Sequence, residues 1–82
     1  MTHVLKILPQ YYRAVIEERK TFEVRKNDRN YAVGDEVVLT EYDPDYCGGL
    51  TGRVWHGVIT YLLNDPAYCK RGYVIFSIES VL

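Results

Sequence analysis

Only one stretch of this sequence repeats its apolar residues at helical spacing, and it comes early. From Pro9 to about Arg19, Leu8, Tyr12, Val15 and Ile16 recur along one stripe, while Arg13, Glu17 and Glu18 take the other side. Pro9 suits a first helical turn, where its missing amide hydrogen would have no partner in any case. Every other apolar segment reads as a strand, so one crossover helix is available and a doubly wound nucleotide-binding sheet is excluded. A strand, a helix and then four strands predict an α+β fold: a small, mostly antiparallel β pseudo-barrel with the early helix packed at its opening.

The strands follow from local pattern. Val4-Leu5-Lys6-Ile7-Leu8 is a short apolar run halted by Pro9. Thr21 to Lys26 alternates with period two; with Phe22 and Val24 turned to the core, Thr21, Glu23 and Arg25 share the opposite face. Asn27 to Asn30 is a turn, and Val33-Gly34-Asp35 is a second one, leading into a strand from Glu36 to Tyr42. Asp43 to Gly49 is a loop. Arg53 to Leu63 is rich in Val, Ile, Thr and aromatic residues and reads as a long strand, bent at Gly57 and ended by Asn64-Asp65-Pro66. Tyr73 to Val81 is the last strand, with Val74, Phe76 and Ile78 on one side and Tyr73, Ile75 and Val81 on the other.

Eighty-two residues suit one domain spanning 1–82. A composition 48% hydrophobic and 26% charged is that of an ordinary globular chain and excludes disorder. No apolar run approaches the roughly 18 residues that cross a bilayer, so no membrane partner is expected. The opening MTHVLKIL lacks a signal-peptide core and cleavage site, so a cytoplasmic location is expected. Without an export signal, Cys47 and Cys69 are expected as free thiols. Together with His3 and His56 they form no close ligand pair, so no metal and no other cofactor is expected.

The net charge is −1, which argues against a surface that traps nucleic acid wherever it touches. Charge is nonetheless segregated along the chain. Arg13, Arg19, Lys20, Arg25, Lys26 and Arg29 crowd one segment, opposed there by Glu17, Glu18, Glu23 and Asp28. Asp35, Glu36, Glu41, Asp43 and Asp45 then make an acidic stretch, 35–45, without a basic residue.

Lys20-x-x-Glu23-x-Arg25 falls at the helix-to-strand junction, with Glu23 and Arg25 about 6.5 Å apart along one strand face. A guanidinium fork and a carboxylate together suit a ligand with donors and acceptors, such as a base edge or a sugar phosphate. The same three groups also suit an internal salt bridge that closes the mouth of the barrel. Tyr31, Tyr42 and Tyr46, among eight tyrosines, flank this segment or the glycine loop and offer stacking faces.

The run Glu18 to Lys26, followed by Tyr31-x-Val33-Gly34-Asp35 and a hydrophobic strand, resembles the ASCH (activating signal cointegrator homology) family of the PUA-like superfamily. His3 to Ile7, Arg25 to Arg29, Thr51-Gly52-Arg53 and Gly72-Tyr73-Val74 look more closely like a small bacterial and phage subgroup of unknown function. The resemblance implies a five- or six-stranded pseudo-barrel with a cleft between barrel and helix. It implies that Lys20 and Arg25 contact phosphate or carbonyl oxygens of RNA or a modified nucleoside. Glu23 would accept from a base or hold the two cations. His3, Lys6, Asn27, Asp28, Arg29 and Arg53 match subgroup positions and are further binding candidates. Some small ASCH relatives resemble amidohydrolases acting on acylated nucleosides; for that chemistry Lys20, Thr21 and Glu23 are the catalytic candidates, although Glu23 stands where that pattern has its threonine. Three functions therefore stand side by side: an RNA- or nucleotide-binding module, a small amidohydrolase, and a protein-interaction module using the acidic stretch.

Overall fold

The computed structural model describes residues 1–81. Its elements run β1 (Thr2–Ile7), α1 (Pro9–Ile16), β2 (Phe22–Lys26), β3 (Glu36–Tyr42), β4 (Leu50–Leu63) and β5 (Tyr73–Ser80). One five-stranded sheet forms in the order β1-β3-β4-β5-β2 and curls into a half-barrel. The α+β architecture with one early helix is as expected, but the sheet is mixed: β1 lies parallel to β3, and the other three pairings are antiparallel. β1 and β2 are its two edges and do not pair with each other. No helix among the described residues is long and apolar enough to cross a membrane.

Alternation explains the core. Leu5 and Ile7 of β1, Val37 and Leu39 of β3, Ile59 of β4, and Val74, Phe76 and Ile78 of β5 all turn inward, where Tyr12 and Val15 of α1 and Tyr31 meet them. Of the two sides of β5, the one carrying Val74, Phe76 and Ile78 is buried. In β4 the irregularities lie away from Gly57. One is the stretch around Gly52, at φ +92°, where pairing with β3 slips, and the other is between Ile59 and Tyr61 against β5. Gly57 keeps regular partners on both sides, and a Cβ there would run into the Trp55 ring and stand 2.7 Å from the Glu79 carbonyl oxygen.

Two expectations are corrected. The helix stops at Ile16 instead of about Arg19, because Glu18 takes the left-handed conformation at φ +61°. The Glu18 and Arg19 amides then turn back onto the Val15 and Ala14 carbonyls at 3.0 and 2.9 Å, a Schellman closure of the helix end. The faces of β2 are also exchanged. Phe22 and Val24 are about half exposed, and Glu23 is the buried residue. Apolar burial is outweighed at this edge because Glu23 enters the interior with a cation on each carboxylate oxygen, which removes most of the penalty of burying its charge.

Candidate functional site

The tight exit from α1 carries the chain directly into β2 and sets three charges together. The Lys20 amide bonds the Ala14 carbonyl at 3.0 Å, which brings its side chain back over the start of β2. Lys20 Nζ donates to the Phe22 carbonyl at 2.7 Å and to Glu23 Oε1 at 2.5 Å. Arg25 Nε donates to Glu23 Oε2 at 2.8 Å, and Arg25 Nη2 donates to the Lys6 carbonyl oxygen of β1, also at 2.8 Å. Glu23 therefore holds both cations, and its two oxygens are already engaged.

Arg25 spans the opening between the sheet edges, with a hollow on each side of it. The smaller, about 420 Å³, is walled by Lys20, Glu23, Tyr11, Leu8, Lys6 and Arg25. The larger, about 540 Å³, is walled by Lys6, Arg25, Lys26, Arg29, Asp28 and Tyr31 among others. Across the two, Lys6, Lys20, Arg25, Lys26 and Arg29 face only Glu23 and Asp28. Lys20 Nζ also lies 5.2 Å from the Phe22 ring centre, and Lys6 Nζ lies 4.9 Å from that of Tyr42. Arg29 reaches the Val4 carbonyl only at 3.4 Å, so its guanidinium is loosely held. Burial raises the Tyr31 phenol pKa above its ordinary value, partly offset by Arg25 and Arg29, so the hydroxyl stays protonated at neutral pH.

Other sequence candidates lie elsewhere. His3 is on the inner face of β1, bonded through Nε2 to Asp35 Oδ2 at 2.8 Å and set against the Tyr31 ring. It joins the start of β1 to the turn before β3 and does not line either hollow. Asn27 is exposed and uses its amide on the Gly72 carbonyl at 2.8 Å. Thr21 lines a different hollow, beyond the end of α1 beside Trp55 and Ile78, which Lys20 also walls. Arg53 belongs to a separate polar group with Glu41 and Thr51. Tyr46 is exposed on the glycine loop. The acidic stretch does not form one face: Asp35 bonds His3, Glu41 is buried, and Asp43 accepts from the Asp45 amide at 3.0 Å. Sequence reasoning missed Tyr11, Lys26 and Glu41. For Glu41 the signal was present, because the alternation of Val37 and Leu39 carries on to it.

Among the described residues no three His, Cys, Asp or Glu side chains gather as a metal site. Cys47 is exposed, Cys69 is buried, and both are free. Fold and site together define a small α+β protein whose half-barrel leaves a cation-lined cleft between its two edge strands. Residues 2–78 match the family described as Domain of unknown function (DUF3850), and the chain belongs to that family. It is similar to an uncharacterized 12.9 kDa protein in the GpA 3′ region of Escherichia phage P2, 40% identical over 58 residues. That match covers 71% of this chain and 50% of the phage protein, so the chain spans about half the length of the curated relative it matches.

Proposed function

We propose that the protein binds a nucleotide or a short single-stranded RNA in the cleft between β1 and β2. One observation carries the reading: two adjoining hollows that share Lys6 and Arg25 hold five cationic side chains against two carboxylates, on a chain whose net charge is −1. That concentration of one sign suits phosphate oxygens, and the limited volume suits one or two nucleotides better than a duplex. Tyr11, half exposed at the smaller hollow, supplies an aromatic face on which a base can stack, while Tyr31 is buried against His3 and Phe76 and only borders the larger one. Glu23 serves as the anchor of Lys20 and Arg25, since both of its oxygens already accept from them.

The amidohydrolase reading has less support. Both groups that Lys20 Nζ touches, the Phe22 carbonyl and the Glu23 carboxylate, only accept, and Thr21 opens on the hollow beyond α1, which Lys20 also walls but Glu23 does not. A relationship to the ASCH family belongs to the same proposal as nucleotide binding; the Lys-x-x-Glu-x-Arg charges beside a helix exit and a curled sheet support it. A cytoplasmic location goes with it, since nucleotides and RNA are met there.

The test is an NMR titration with nucleoside 5′-monophosphates, their parent nucleosides and short RNAs. Amides of Lys6, Lys20, Arg25, Lys26 and Arg29 should shift with the phosphorylated ligands and much less with the nucleosides. Shifts confined to other surfaces, or none at all, would sink the proposal.

A further inference from the structure

The Thr51-Gly52-Arg53 motif plays no part in the β1/β2 cleft, yet its two side chains converge on a buried charge. Glu41, on the inner face of β3, is only 7% exposed. Thr51 Oγ1 donates to Glu41 Oε1 at 2.6 Å, and Arg53 Nε stands 3.9 Å from the same oxygen, beyond hydrogen-bonding distance. Oε2 has no partner among the described residues, and no buried polar side-chain atom is left unsatisfied, so Oε2 meets solvent. The space available to it is a hollow of about 290 Å³ between α1 and the sheet, walled by Glu41, Arg53, Arg13, Tyr12, Gln10 and Glu17 among others. Tyr12 has its hydroxyl on the Val54 carbonyl and Glu17 is paired with Arg19. Arg13 is exposed, with no ion pair or side-chain hydrogen bond among the described residues.

We infer that this hollow is a second ligand site, for a small zwitterion that sets a primary ammonium on Glu41 Oε2 and a carboxylate or phosphate on Arg13 and Arg53. The buried carboxylate has acceptor capacity that the protein leaves unused, which calls for a cationic donor. Two guanidiniums in the same walls repel a simple cation, and Glu41 repels a simple anion. A molecule with both charges a few bonds apart satisfies all three groups. The motif's spacing then has a purpose: Thr51 fixes Oε1, which leaves Oε2 to the ligand, and Arg53 presents the second charge.

The experiment uses the full chain labelled with nitrogen-15 and four probes at matched ionic strength: β-alanine, O-phosphoethanolamine, ethylammonium chloride and sodium acetate. Amides of Glu41, Thr51 and Arg53 should shift saturably with a zwitterion, at an affinity about tenfold or more above that for ethylammonium or acetate. Glu41→Gln should abolish that preference. Because that variant disturbs a buried group, Arg13→Ala is the second: it should keep the wild-type spectrum elsewhere and reduce zwitterion binding to the level of ethylammonium. Equal affinities for all probes, no saturable shift, or an Arg13→Ala protein that binds like the wild type would overturn the inference. None of these outcomes bears on the cleft, whose residues are separate.

Discussion

The Arg25 guanidinium reaches from one edge strand to the other, donating to the Lys6 carbonyl oxygen at 2.8 Å while its Nε holds Glu23. Backbone pairing leaves the half-barrel open between β1 and β2, and a side chain spans the gap. One residue thus has three effects. It satisfies a carbonyl on an unpaired edge, neutralises a buried carboxylate, and divides the cleft into two hollows. The salt-bridge and ligand-site interpretations of the Lys-x-x-Glu-x-Arg motif are therefore compatible, because the bridge is the wall of the cleft.

Removing Arg25 should be costly. Arg25→Ala leaves Glu23 with one counter-charge and the Lys6 carbonyl without its donor, a loss of about 2–4 kcal/mol. An 82-residue chain has little to spare, since total stability is about 0.05–0.15 kcal/mol per residue. Arg25→Lys keeps the charge but lacks the fork that spans both partners, so it should fall between. Urea unfolding measures both variants, and an Arg25→Ala midpoint equal to that of the wild type would show that the bridge adds nothing.

Glu18 is a place where the chain can be improved. It adopts φ +61° at the helix terminus, a conformation that glycine enters without the Cβ penalty. Glu18→Gly should stabilise the fold by about 1 kcal/mol, or about 4–8 °C in Tm, whereas Glu18→Ala should not. Equal melting temperatures for the two variants would mean that the backbone strain is not what matters there.

How much of this was legible in the sequence depends on whether the signal was local. Tyr12 and Val15 of the α1 stripe were readable because the helical period carries them onto the sheet, although Leu8 and Ile16 of the same stripe stay exposed. In β5 alternation grouped Val74, Phe76 and Ile78 on one face without saying that it lies inside. The charged cluster was readable because its spacing is short and the junction at Lys20 brings the three groups together. The faces of β2 were not, because alternation defines two faces without saying which is inside. In a five-residue edge strand, Phe22 and Val24 made as good a candidate interior as Glu23 and Arg25. What decided it was pairing of Glu23 with a carbonyl-bound arginine, and the Lys6 partner lies 19 positions away. The parallel pairing of β1 with β3 was hidden for the same reason, since it joins segments separated by α1 and β2.

Asp35 gives a pH dependence with a definite sign. The bond from His3 holds its carboxyl below the ordinary value near 3.8, with the Ala32 amide assisting and burial opposing. With the folded pKa depressed, the unfolded chain takes up the proton first. The stability from this group is therefore complete above the ordinary value and is lost as pH falls through the lower, folded one. Wild type should exceed Asp35→Asn in urea midpoint at neutral pH, and the gap should close below about pH 4. A gap that stays constant or widens on acidification would remove Asp35 from the acid lability of the fold.

Arg29 offers the cleanest test of phosphate binding in the cleft, because it walls the larger hollow while its side chain is half exposed and only loosely bonded to the Val4 carbonyl. Its loss should leave the melting temperature nearly unchanged. If it meets a phosphate, the affinity for a short RNA falls with salt by a log–log slope of about −0.7 for each contact, and Arg29→Ala should make that slope shallower by about 0.7. Arg71, exposed and outside both hollows, is the control for simple loss of positive charge. If Arg71→Ala changes the slope as much as Arg29→Ala, the salt dependence reports the net charge of the molecule and the cleft has no special claim on the ligand.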